Sequence, residues 1–337
     1  MQYYLREVGR GKKGAKDLTL QQAEDAAVKI LTGEATEAQV GAFLLAERMK
    51  LESIDEILGF IRVFRKNAIT IPLDIPFHLD CSGPYDGRGK SLAVTIPAAL
   101  LCAAAGLPVV LHGAASLPPK YGVVLPDILE ELGININKNM EDVKKDVRQL
   151  GIAYIQTENF VKPLHDLRKI RKELGVRTLL NTVEKLINLT HAPACIVGVF
   201  HNTAIEKTIG LLQLLGYKKG MVVQGIDGSE DIPTSRPSSI SLFDGEKVEK
   251  MIIEPAEWGL DHVMPTGMIP ASIQAQIIQS ILLGEESPMR NMVILNTGLR
   301  LWFGEQANNL TSAMKMAEEL LDSKVGWYKL KQWKGEQ

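Results

Sequence analysis

The feature that most constrains the fold is the alternation of short apolar segments with helical patterns from about residue 73 onward. Helical patterns such as "VLPDILEELG" and "TAIEKTIGLLQLLG" separate the apolar segments, which are "FHLDCSG", "LPVVLHGAA", "IAYIQT", "ACIVGVFH" and "KGMVVQGIDG". A further apolar stretch, "SISLFDGEKVEKMIIEP", follows later in the chain. Strands that alternate with helices form a largely parallel sheet flanked by helices. The sequence therefore predicts a large α/β domain over residues 73–337 with a central, mostly parallel sheet.

The first part of the chain has a different pattern, with apolar residues at helical spacing and no strand signal. "DLTLQQAEDAAVKILTG" begins with Thr19 as a capping residue, "TEAQVGAFLLAERMK" begins with Thr36, and "SIDEILGFIRVFRKNA" begins with Ser53. Serine and threonine at these positions are typical of helix N-termini. We therefore expect a small N-terminal helical bundle domain over residues 1–72.

Composition narrows the class of protein further. Hydrophobic residues make up 45% of the chain and the formal net charge is −2, so a nucleic-acid partner would need a local basic face. The cysteines Cys81, Cys102 and Cys195 form no CxxC pair, which is typical of a reducing compartment. The longest apolar run, "VTIPAALLCAAAGLPVVL", contains prolines and a glycine and is therefore predicted to be buried in the fold. These features predict a cytoplasmic protein with no membrane partner.

A glycine-rich turn, Gly83–Ser91, follows the first predicted strand. Ligands of open α/β sheets bind at the carboxyl ends of strands. Glycines let the backbone turn tightly and present N–H groups to an anion, next to the positive end of the following helix. The residues that would contribute are Asp86, Gly87, Arg88, Gly89, Lys90 and Ser91. A P-loop NTPase is a weaker interpretation, because Pro84 occupies the position of its first glycine.

Two other strand ends carry polar residues. His112 follows a buried apolar segment, where a catalytic and a structural histidine are about equally expected. Glu230 and Asp231 are adjacent carboxylates in the loop after "KGMVV". Carboxylate oxygens suit Mg²⁺, which also keeps waters and substrate phosphates as ligands. The sequence thus predicts a magnesium site at Glu230 and Asp231 opposite a phosphate-binding loop.

These motifs, in this order, resemble the anthranilate phosphoribosyltransferase family, which has the fold of class II nucleoside phosphorylases. The resemblance covers about residues 17–325. The segments that carry it are "GEATEAQVGAFLLAERMKLESIDEILGF", "RKELGVRTLLNTVEKLIN", "VVQGIDGSEDI", "VEKMIIEPAEWGL" and "NTGLRLWFGEQANNLTSAMKMAEELLDS".

The resemblance implies a glycosyltransferase with a substrate cleft between the helical and α/β domains. It implies that phosphoribosyl pyrophosphate (PRPP) or another phosphorylated small molecule binds with Mg²⁺, and that the phosphoribosyl group is transferred to an acceptor. It also implies a homodimer formed through the helical domain, against which the hinge helices of about residues 162–190 would pack. His112 and Arg171 would face the acceptor. The PRPP-binding residues would be Gly83, Asp86, Gly87, Arg88, Gly89, Lys90, Ser91, Thr95, Gly113 and Lys120.

Departures from the family pattern affect both substrates. The phosphate loop G-T-G-G-D-G appears as the shorter "GPYDG", and K-H-G-N-R appears as "LHGAA". The G-P-L that follows "RTLLN" in the family aligns with Glu184, Lys185 and Leu186. The chain is therefore similar to the divergent branch called anthranilate phosphoribosyltransferase-like, for which anthranilate is not the expected acceptor and nucleic-acid binding has been proposed.

Two functions remain open at this point. The first is a Mg²⁺-dependent phosphoribosyltransferase with an unidentified, non-anthranilate acceptor. The alternative is a non-catalytic protein on the same scaffold that binds DNA or RNA through the basic stretch "VKPLHDLRKIRKELGVR". The cations that would contact nucleic-acid phosphates are Lys162, Arg168, Lys169 and Lys172. Few aromatic residues accompany them, so base stacking is not expected.

Overall fold

A computed structural model of the 337-residue chain describes residues 1–11, 13–263 and 267–336. Its strands are β1 (Leu79–Ser82), β2 (Val109–Gly113), β3 (Ile152–Gln156), β4 (Ala194–Gly198), β5 (Lys219–Val223), β6 (Ser238–Asp244) and β7 (Lys247–Ile253). They form one sheet in the order β3-β2-β1-β4-β5-β6-β7. The first five strands of that order run parallel, and β6 and β7 pair antiparallel at one end.

Helices make up most of the remaining regular structure. The first half of the chain contains α1 (Gln2–Val8), α2 (Leu20–Leu31), α3 (Glu37–Lys50), α4 (Ile54–Lys66), α5 (Thr95–Ala104), α6 (Leu125–Glu131), α7 (Met140–Leu150) and α8 (Thr157–Phe160). The second half contains α9 (Lys162–Asp166), α10 (Arg168–Leu174), α11 (Leu180–Val183), α12 (Ile205–Leu214), α13 (Ala271–Leu282), α14 (Arg290–Phe303), α15 (Leu310–Asp322) and α16 (Val325–Lys334). Short 3-10 segments lie at Glu184–Leu186, Asn202–Ala204, Ile226–Gly228 and Pro255–Trp258. Among the described residues, no helix combines the length and apolar character that crossing a membrane requires.

The chain divides into two compact units. Unit 1 contains residues 1–70, 117–121 and 157–189, and unit 2 contains residues 71–116, 122–156 and 190–337. Unit 1 is helical and unit 2 holds the whole sheet. This confirms the predicted fold class, a small helical domain with a mostly parallel α/β domain.

The caps predicted for the helical unit are present. Thr19, Thr36 and Ser53 each accept a hydrogen bond from the backbone three residues later, and each completes a reciprocal capping box with a glutamine or glutamate there. These contacts satisfy backbone N–H groups that the first turn of a helix leaves unpaired. The short first helix, α1, was not predicted from the sequence.

The longest apolar run of the sequence, "VTIPAALLCAAAGLPVVL", has no polar face because it lies in the core of unit 2. The helical part of that run is α5, whose first nine residues are all buried beside the sheet and helices α14 and α16. The remaining part enters β2, which is buried along its whole length. A helix that is apolar all round lies inside the protein. Its N-terminus consequently lies close to the loop that follows β1.

The strand order also identifies the edge of the sheet at which a ligand is expected. The chain runs from β1 outward to β3, then returns to place β4 on the other side of β1. Such a reversal leaves a crevice at the carboxyl ends of the two central strands. The glycine-rich turn Gly83–Ser91 follows β1 directly and therefore lies at this edge.

Candidate functional site

The turn after β1 is held in place by close backbone contacts. Gly87 has a φ of 82°, and a Cβ there would lie 2.2 Å from the carbonyl carbon of Gly122. Arg88 pairs with Val123 through two backbone hydrogen bonds of 2.8 and 3.0 Å, and Gly122 N–H donates to the Asp86 carbonyl at 3.0 Å. Only glycine tolerates both the positive φ and the close approach at residue 87. The main chain at Arg88 is therefore fixed along the 122–123 segment.

The side chain of Arg88 points into the protein and is 1% exposed. Its Nη2 lies 3.1 Å from Asp231 Oδ2 and 3.4 Å from Glu230 Oε1. Gly83 makes room for it, since a Cβ at Gly83 would lie 3.2 Å from Arg88 Nη1. Arg88 was predicted to bind an anionic ligand, whereas the structure places its guanidinium on the protein's own carboxylates.

The two carboxylates are positioned by a tight turn after β5. A Cβ at Gly198 or at Gly225 would lie 1.8 or 1.9 Å from the Ser229 carbonyl oxygen, so both positions need glycine for the chain to pass. Asn296 on α14 then holds the next residue, accepting from Ile232 N–H and donating to Ile232 O at 2.9 Å each. Glu230 and Asp231 are consequently buried.

A second arginine, Arg300 on α14, reaches Asp231. Arg300 Nη2 donates to Asp231 Oδ1 at 3.0 Å and to Thr95 Oγ1 at 3.1 Å. Thr95 at the start of α5 also donates its N–H to Asp231 Oδ2 at 3.2 Å. Arg300 was not predicted as a site residue, although an arginine inside the apolar pattern "NMVILNTGLRLWF" is a signal of a buried ion pair.

We call Arg88, Thr95, Glu230, Asp231 and Arg300 the arginine–carboxylate cluster. Its contacts decide the direction in which the pKa values of the two carboxyl groups shift. Burial disfavours the charge on Glu230, but Arg88 and Arg300 outweigh it and hold the pKa of that carboxyl below its ordinary value. Burial and the neighbouring Glu230 raise the pKa of Asp231, yet Asp231 accepts hydrogen bonds from both arginines and from Thr95, which favours its ionised form.

The cluster does not fit the magnesium ion that the resemblance implies. Arg88 and Arg300 already neutralise the two carboxylates at hydrogen-bond distance. Within residues 1–11, 13–263 and 267–336, no group of three or more histidine, cysteine or acidic residues is arranged to hold a metal ion. The prediction of a metal site at Glu230 and Asp231 therefore disagrees with the structure, because a buried guanidinium occupies the position between them.

The backbone N–H groups of the glycine-rich turn are held by a carboxylate of the same unit. Asp227 Oδ2 accepts from Gly89 N–H at 3.1 Å, from Lys90 N–H at 2.9 Å and from Ser91 Oγ at 3.3 Å. Asp227 has a φ of 57° in the segment after β5. The turn thus presents N–H donors to the carboxylate of Asp227, and its role in binding a phosphate stays a prediction. Lys90 itself is exposed.

His112 lies at the end of β2 and is 7% exposed. Its Nδ1 is 2.6 Å from the Tyr85 hydroxyl, and its Nε2 is 3.1 Å from Asp80 Oδ1. Tyr217 donates to the other Asp80 oxygen at 3.0 Å. These contacts fix the imidazole between β1 and the glycine-rich turn. His112 is therefore in the same unit and at the same sheet edge as the arginine–carboxylate cluster, as is Gly113, the last residue of β2.

Two of the predicted site residues, Lys120 and Arg171, belong to unit 1. Arg171 is 2% exposed and forms a bidentate ion pair with Glu184, with Nη1 to Oε2 at 2.6 Å and Nη2 to Oε1 at 2.9 Å. Glu184 is 1% exposed. Lys120 lies in the 117–121 segment and is half-buried. The guanidinium predicted to face the acceptor is therefore already bound to a carboxylate of its own unit.

The basic stretch proposed for nucleic acid is paired with acidic residues of the same unit. Lys162 pairs with Asp166, Arg168 with Glu158 at 2.6 Å, and Lys169 with Glu37 at 3.2 Å. Lys172 is exposed. Three of these four cations thus have carboxylate partners, and the nucleic-acid alternative stays a prediction.

Comparison with known proteins adds to this geometry. The helical bundle domain of the glycosyl transferase family matches residues 2–68, and the family's a/b domain matches residues 85–324. The chain is 32% identical to an anthranilate phosphoribosyltransferase of Acetivibrio thermocellus, covering 94% of this chain and 91% of the relative. It is 33% identical to the anthranilate phosphoribosyltransferase of Methanocorpusculum labreanum, covering 93% and 92% of the two chains.

Solved structures share the fold. Anthranilate phosphoribosyltransferase from Thermus thermophilus aligns with a TM-score of 0.84 at 24% identity and covers 98% of each chain. The Saccharomyces cerevisiae enzyme in complex with PRPP and Mg aligns with a TM-score of 0.83 at 21% identity, covering 98% of this chain and 96% of that one. At these identities the structural likeness concerns the fold.

Proposed function

The chain belongs to the glycosyl transferase family that includes the anthranilate phosphoribosyltransferases, and we propose that it transfers a phosphoribosyl group from PRPP to an acceptor other than anthranilate. The observation that carries the choice of acceptor is the buried ion pair of Arg171 and Glu184. In the family resemblance Arg171 faces the acceptor, and Glu184 stands where the family has a glycine. The carboxylate of Glu184 thus takes the partner that an anthranilate carboxylate would use.

The energetics of the pair support exclusion of a carboxylate acceptor. Bidentate arginine–carboxylate pairs are among the strongest hydrogen-bonded contacts in proteins. A competing carboxylate would have to displace Glu184 from Arg171 and leave the buried Glu184 charge without that guanidinium. Removing one partner of a buried ion pair costs about 3–5 kcal/mol. An uncharged or cationic acceptor carries no such penalty.

The donor side of the proposal rests on the glycine-rich turn and the start of α5. The N–H groups of Gly89 and Lys90 already converge on one carboxylate oxygen, which is the geometry that an anionic phosphate needs. In this reaction a bond from the acceptor to ribose C1 forms while the C1–oxygen bond to pyrophosphate breaks. The developing negative charge on the pyrophosphate would be stabilised by these donors and the exposed Lys90. PRPP would displace Asp227 from the turn when it binds.

The test has two arms. Titration calorimetry of PRPP measures donor binding, and pyrophosphate release across a panel of uncharged, cationic and carboxylate-bearing amines identifies the acceptor class. We expect PRPP to bind and anthranilate to support no release. No heat up to about 1 mM PRPP, the upper end of ordinary KM values, would refute the transferase. Phosphoribosyl anthranilate formed by the wild-type chain would refute the acceptor assignment.

A matched pair of variants sharpens the acceptor test. Glu184→Gln removes the competing carboxylate, and we expect it to increase binding of anthranilate to the folded protein. Glu173→Gln removes a carboxylate from the same stretch whose side chain is 62% exposed, and it should leave anthranilate binding unchanged. An equal response of both variants would contradict the role of Glu184.

We also propose that the helical unit forms a homodimer. Leu45 and Met49 lie four residues apart on α3 and are 42% and 72% exposed, and Leu51 just after the helix is 74% exposed. Light scattering after size exclusion should show a dimer that Leu45→Asp/Met49→Asp converts to a monomer. Tyr328→Asp, at an exposed aromatic residue of unit 2, is the control and should remain dimeric.

A further inference from the structure

The charge balance of the arginine–carboxylate cluster bears on whether this site binds a metal ion. Arg88, Glu230, Asp231 and Arg300 are each 2% exposed or less. Two guanidinium groups face two carboxylates, so the cluster is neutral when both acids are ionised. We propose that Arg88 is the resident counter-cation of Glu230 and Asp231 and that the wild-type chain binds no divalent metal ion at these carboxylates. These carboxylates belong to the site of the proposed transferase. The absence of a bound metal ion can be tested by itself, and only its meaning for phosphoribosyl transfer rests on the proposed function.

Geometry makes the guanidinium and a metal ion mutually exclusive. A single nitrogen, Nη2, lies 3.1 Å from Asp231 and 3.4 Å from Glu230. A divalent ion shared by these oxygens would have to lie about 2.1 Å from them if it were Mg²⁺. That position overlaps the nitrogen. The ion would also add two positive charges to a neutral, buried group.

Backbone hydrogen bonds fix the main chain of Arg88 and of the two residues after it. Its N–H and carbonyl are both bonded to Val123, and the next two N–H groups are bonded to Asp227. The side chain would therefore have to withdraw while its backbone stayed in place. Withdrawal leaves Glu230 and Asp231 with Arg300 as the remaining guanidinium of the cluster, and an uncompensated buried charge is strongly unfavourable.

Arg88 is held mainly by its charge, because only part of its hydrogen-bonding capacity is used. Its Nε and Nη1 have no hydrogen-bond partner among the residues that the structure describes. All contacts of the Arg88 guanidinium with Glu230 and Asp231 are made by Nη2. A neutral side chain of similar length at residue 88 would then remove the positive charge and leave the carboxylate pair available to a metal ion.

The test measures metal binding without PRPP, by electron paramagnetic resonance of Mn²⁺ titrated into the full chain. Mn²⁺ is chosen because it favours oxygen ligands. We expect no bound Mn²⁺ in wild type up to about 1 mM, the weak end of protein divalent-cation sites. Arg88→Met should bind one Mn²⁺ at least about a hundredfold more tightly than wild type, because one unit of repulsive buried charge is gone. Glu230→Gln/Asp231→Asn in the Arg88→Met background should abolish that binding.

Matched variants separate charge from loop integrity. Arg88→Lys keeps a positive charge at the same position and should still bind no Mn²⁺. Lys90→Met removes an exposed cation two residues away from Arg88, and in this metal titration it should bind no Mn²⁺. If Arg88→Met does not fold, as judged by circular dichroism, Arg88→Gln replaces it as the neutral variant.

The outcomes are decisive in each case. Mn²⁺ bound by wild type and lost in Glu230→Gln/Asp231→Asn would overturn the proposal, whatever the variants at residue 88 do. A folded neutral variant at residue 88 that binds no Mn²⁺ would also overturn it, because the guanidinium would not be what excludes the metal. Absence of PRPP binding would refute the proposed function and leave this result intact.

Discussion

The two units bury charge in opposite ways. In unit 2, Glu230 and Asp231 face two arginines. In unit 1, the fully buried Glu47 and Glu56 share one buried lysine, Lys50, at 3.5 and 2.5 Å. Burial, followed by the neighbouring Glu56, raises the pKa of Glu47 to about 9, against the opposing effect of Lys50.

The comparison teaches that the number of cations decides which carboxylate stays ionised. Glu56 accepts hydrogen bonds from the N–H groups of Leu18 and Ser53 at 2.7 Å each and from Lys50, so both of its oxygens have donors. Glu47 is the surplus carboxylate and stays protonated in the folded protein up to about pH 9. The balanced cluster in unit 2 has no surplus. Four variants test this contrast.

The largest effect is expected when the balance in unit 2 is broken. Arg300→Met leaves Arg88 as the remaining arginine at Asp231 and should destabilise the protein by about 3–5 kcal/mol in urea unfolding, the usual cost of removing one partner of a buried pair. Arg290→Met, on the same helix, removes a partly exposed cation paired with Asp322 and should cost less than about 1 kcal/mol. Equal losses for the two would show that burial does not set the cost.

The surplus carboxylate in unit 1 should respond in the opposite direction. Because the folded-state pKa of Glu47 is about 9 and its ordinary value is 4.5, its contribution to stability is present below pH 4.5 and is lost as pH rises towards 9. Glu47→Gln keeps a neutral side chain and should stabilise the protein by about 3 kcal/mol at about pH 7. Urea unfolding between these pH values should show a flatter dependence in the variant.

The control for Glu47 lies on the same helix. Glu37→Gln changes a side chain that is 65% exposed and should shift stability by less than about 1 kcal/mol, with the pH dependence of wild type retained. A Glu47→Gln variant with unchanged pH dependence would show that Glu47 is ionised in the folded state.

His78 in unit 2 is a buried base, and it should make the protein less stable at acidic pH, whereas Glu47 makes it less stable at alkaline pH. Burial lowers the pKa of His78 to about 4 from an ordinary 6.5, against the weaker effect of Asp80, and its Nε2 lies 2.9 Å from Thr190 Oγ1. The unfolded chain binds the proton first, so stability falls as pH falls from 6.5 towards 4. At about pH 5 the loss is about 2 kcal/mol, and His78→Gln should remove that slope. A slope that persists in the variant would assign it to other groups.

The smallest effect concerns the room made for Arg88. Gly83→Ala places a Cβ 3.2 Å from Arg88 Nη1, which the flexible end of the arginine can relieve by a small shift. We expect a loss of about 1 kcal/mol in urea unfolding. Gly89→Ala is the control, because a Cβ there meets nothing within 4 Å, and it should be neutral or slightly stabilising. A greater loss at Gly89 would place the tight contact elsewhere in the turn.

The sequence was informative about elements whose cause is local. Periodicity and capping residues predicted α2, α3 and α4 with their caps at Thr19, Thr36 and Ser53. Alternation of apolar segments with helices predicted the α/β class and the positions of the parallel strands. It also placed the glycine-rich turn and the acidic pair after strands, and the structure has them after β1 and β5.

Partnerships within the site could not be read in the same way. Arg88 was assigned to a ligand and lies on Glu230 and Asp231, more than 140 residues away in the chain. Asp227 was overlooked although it holds the turn that was singled out. An ion pair depends on which side chains the fold brings together, and neither residue type nor spacing along the chain encodes that choice.

Local chemistry along the chain was enough to specify secondary structure, domain class and the loops at the sheet edge, because capping, periodicity and turn formation act over a few residues. The tertiary structure alone decided that these loops satisfy one another: Arg300 reaches Thr95 across 205 residues, and Arg171 meets Glu184 instead of remaining open. Burial makes an unpaired charge costly, so each buried ion needs a partner at a defined distance. That requirement is met only once the chain has folded.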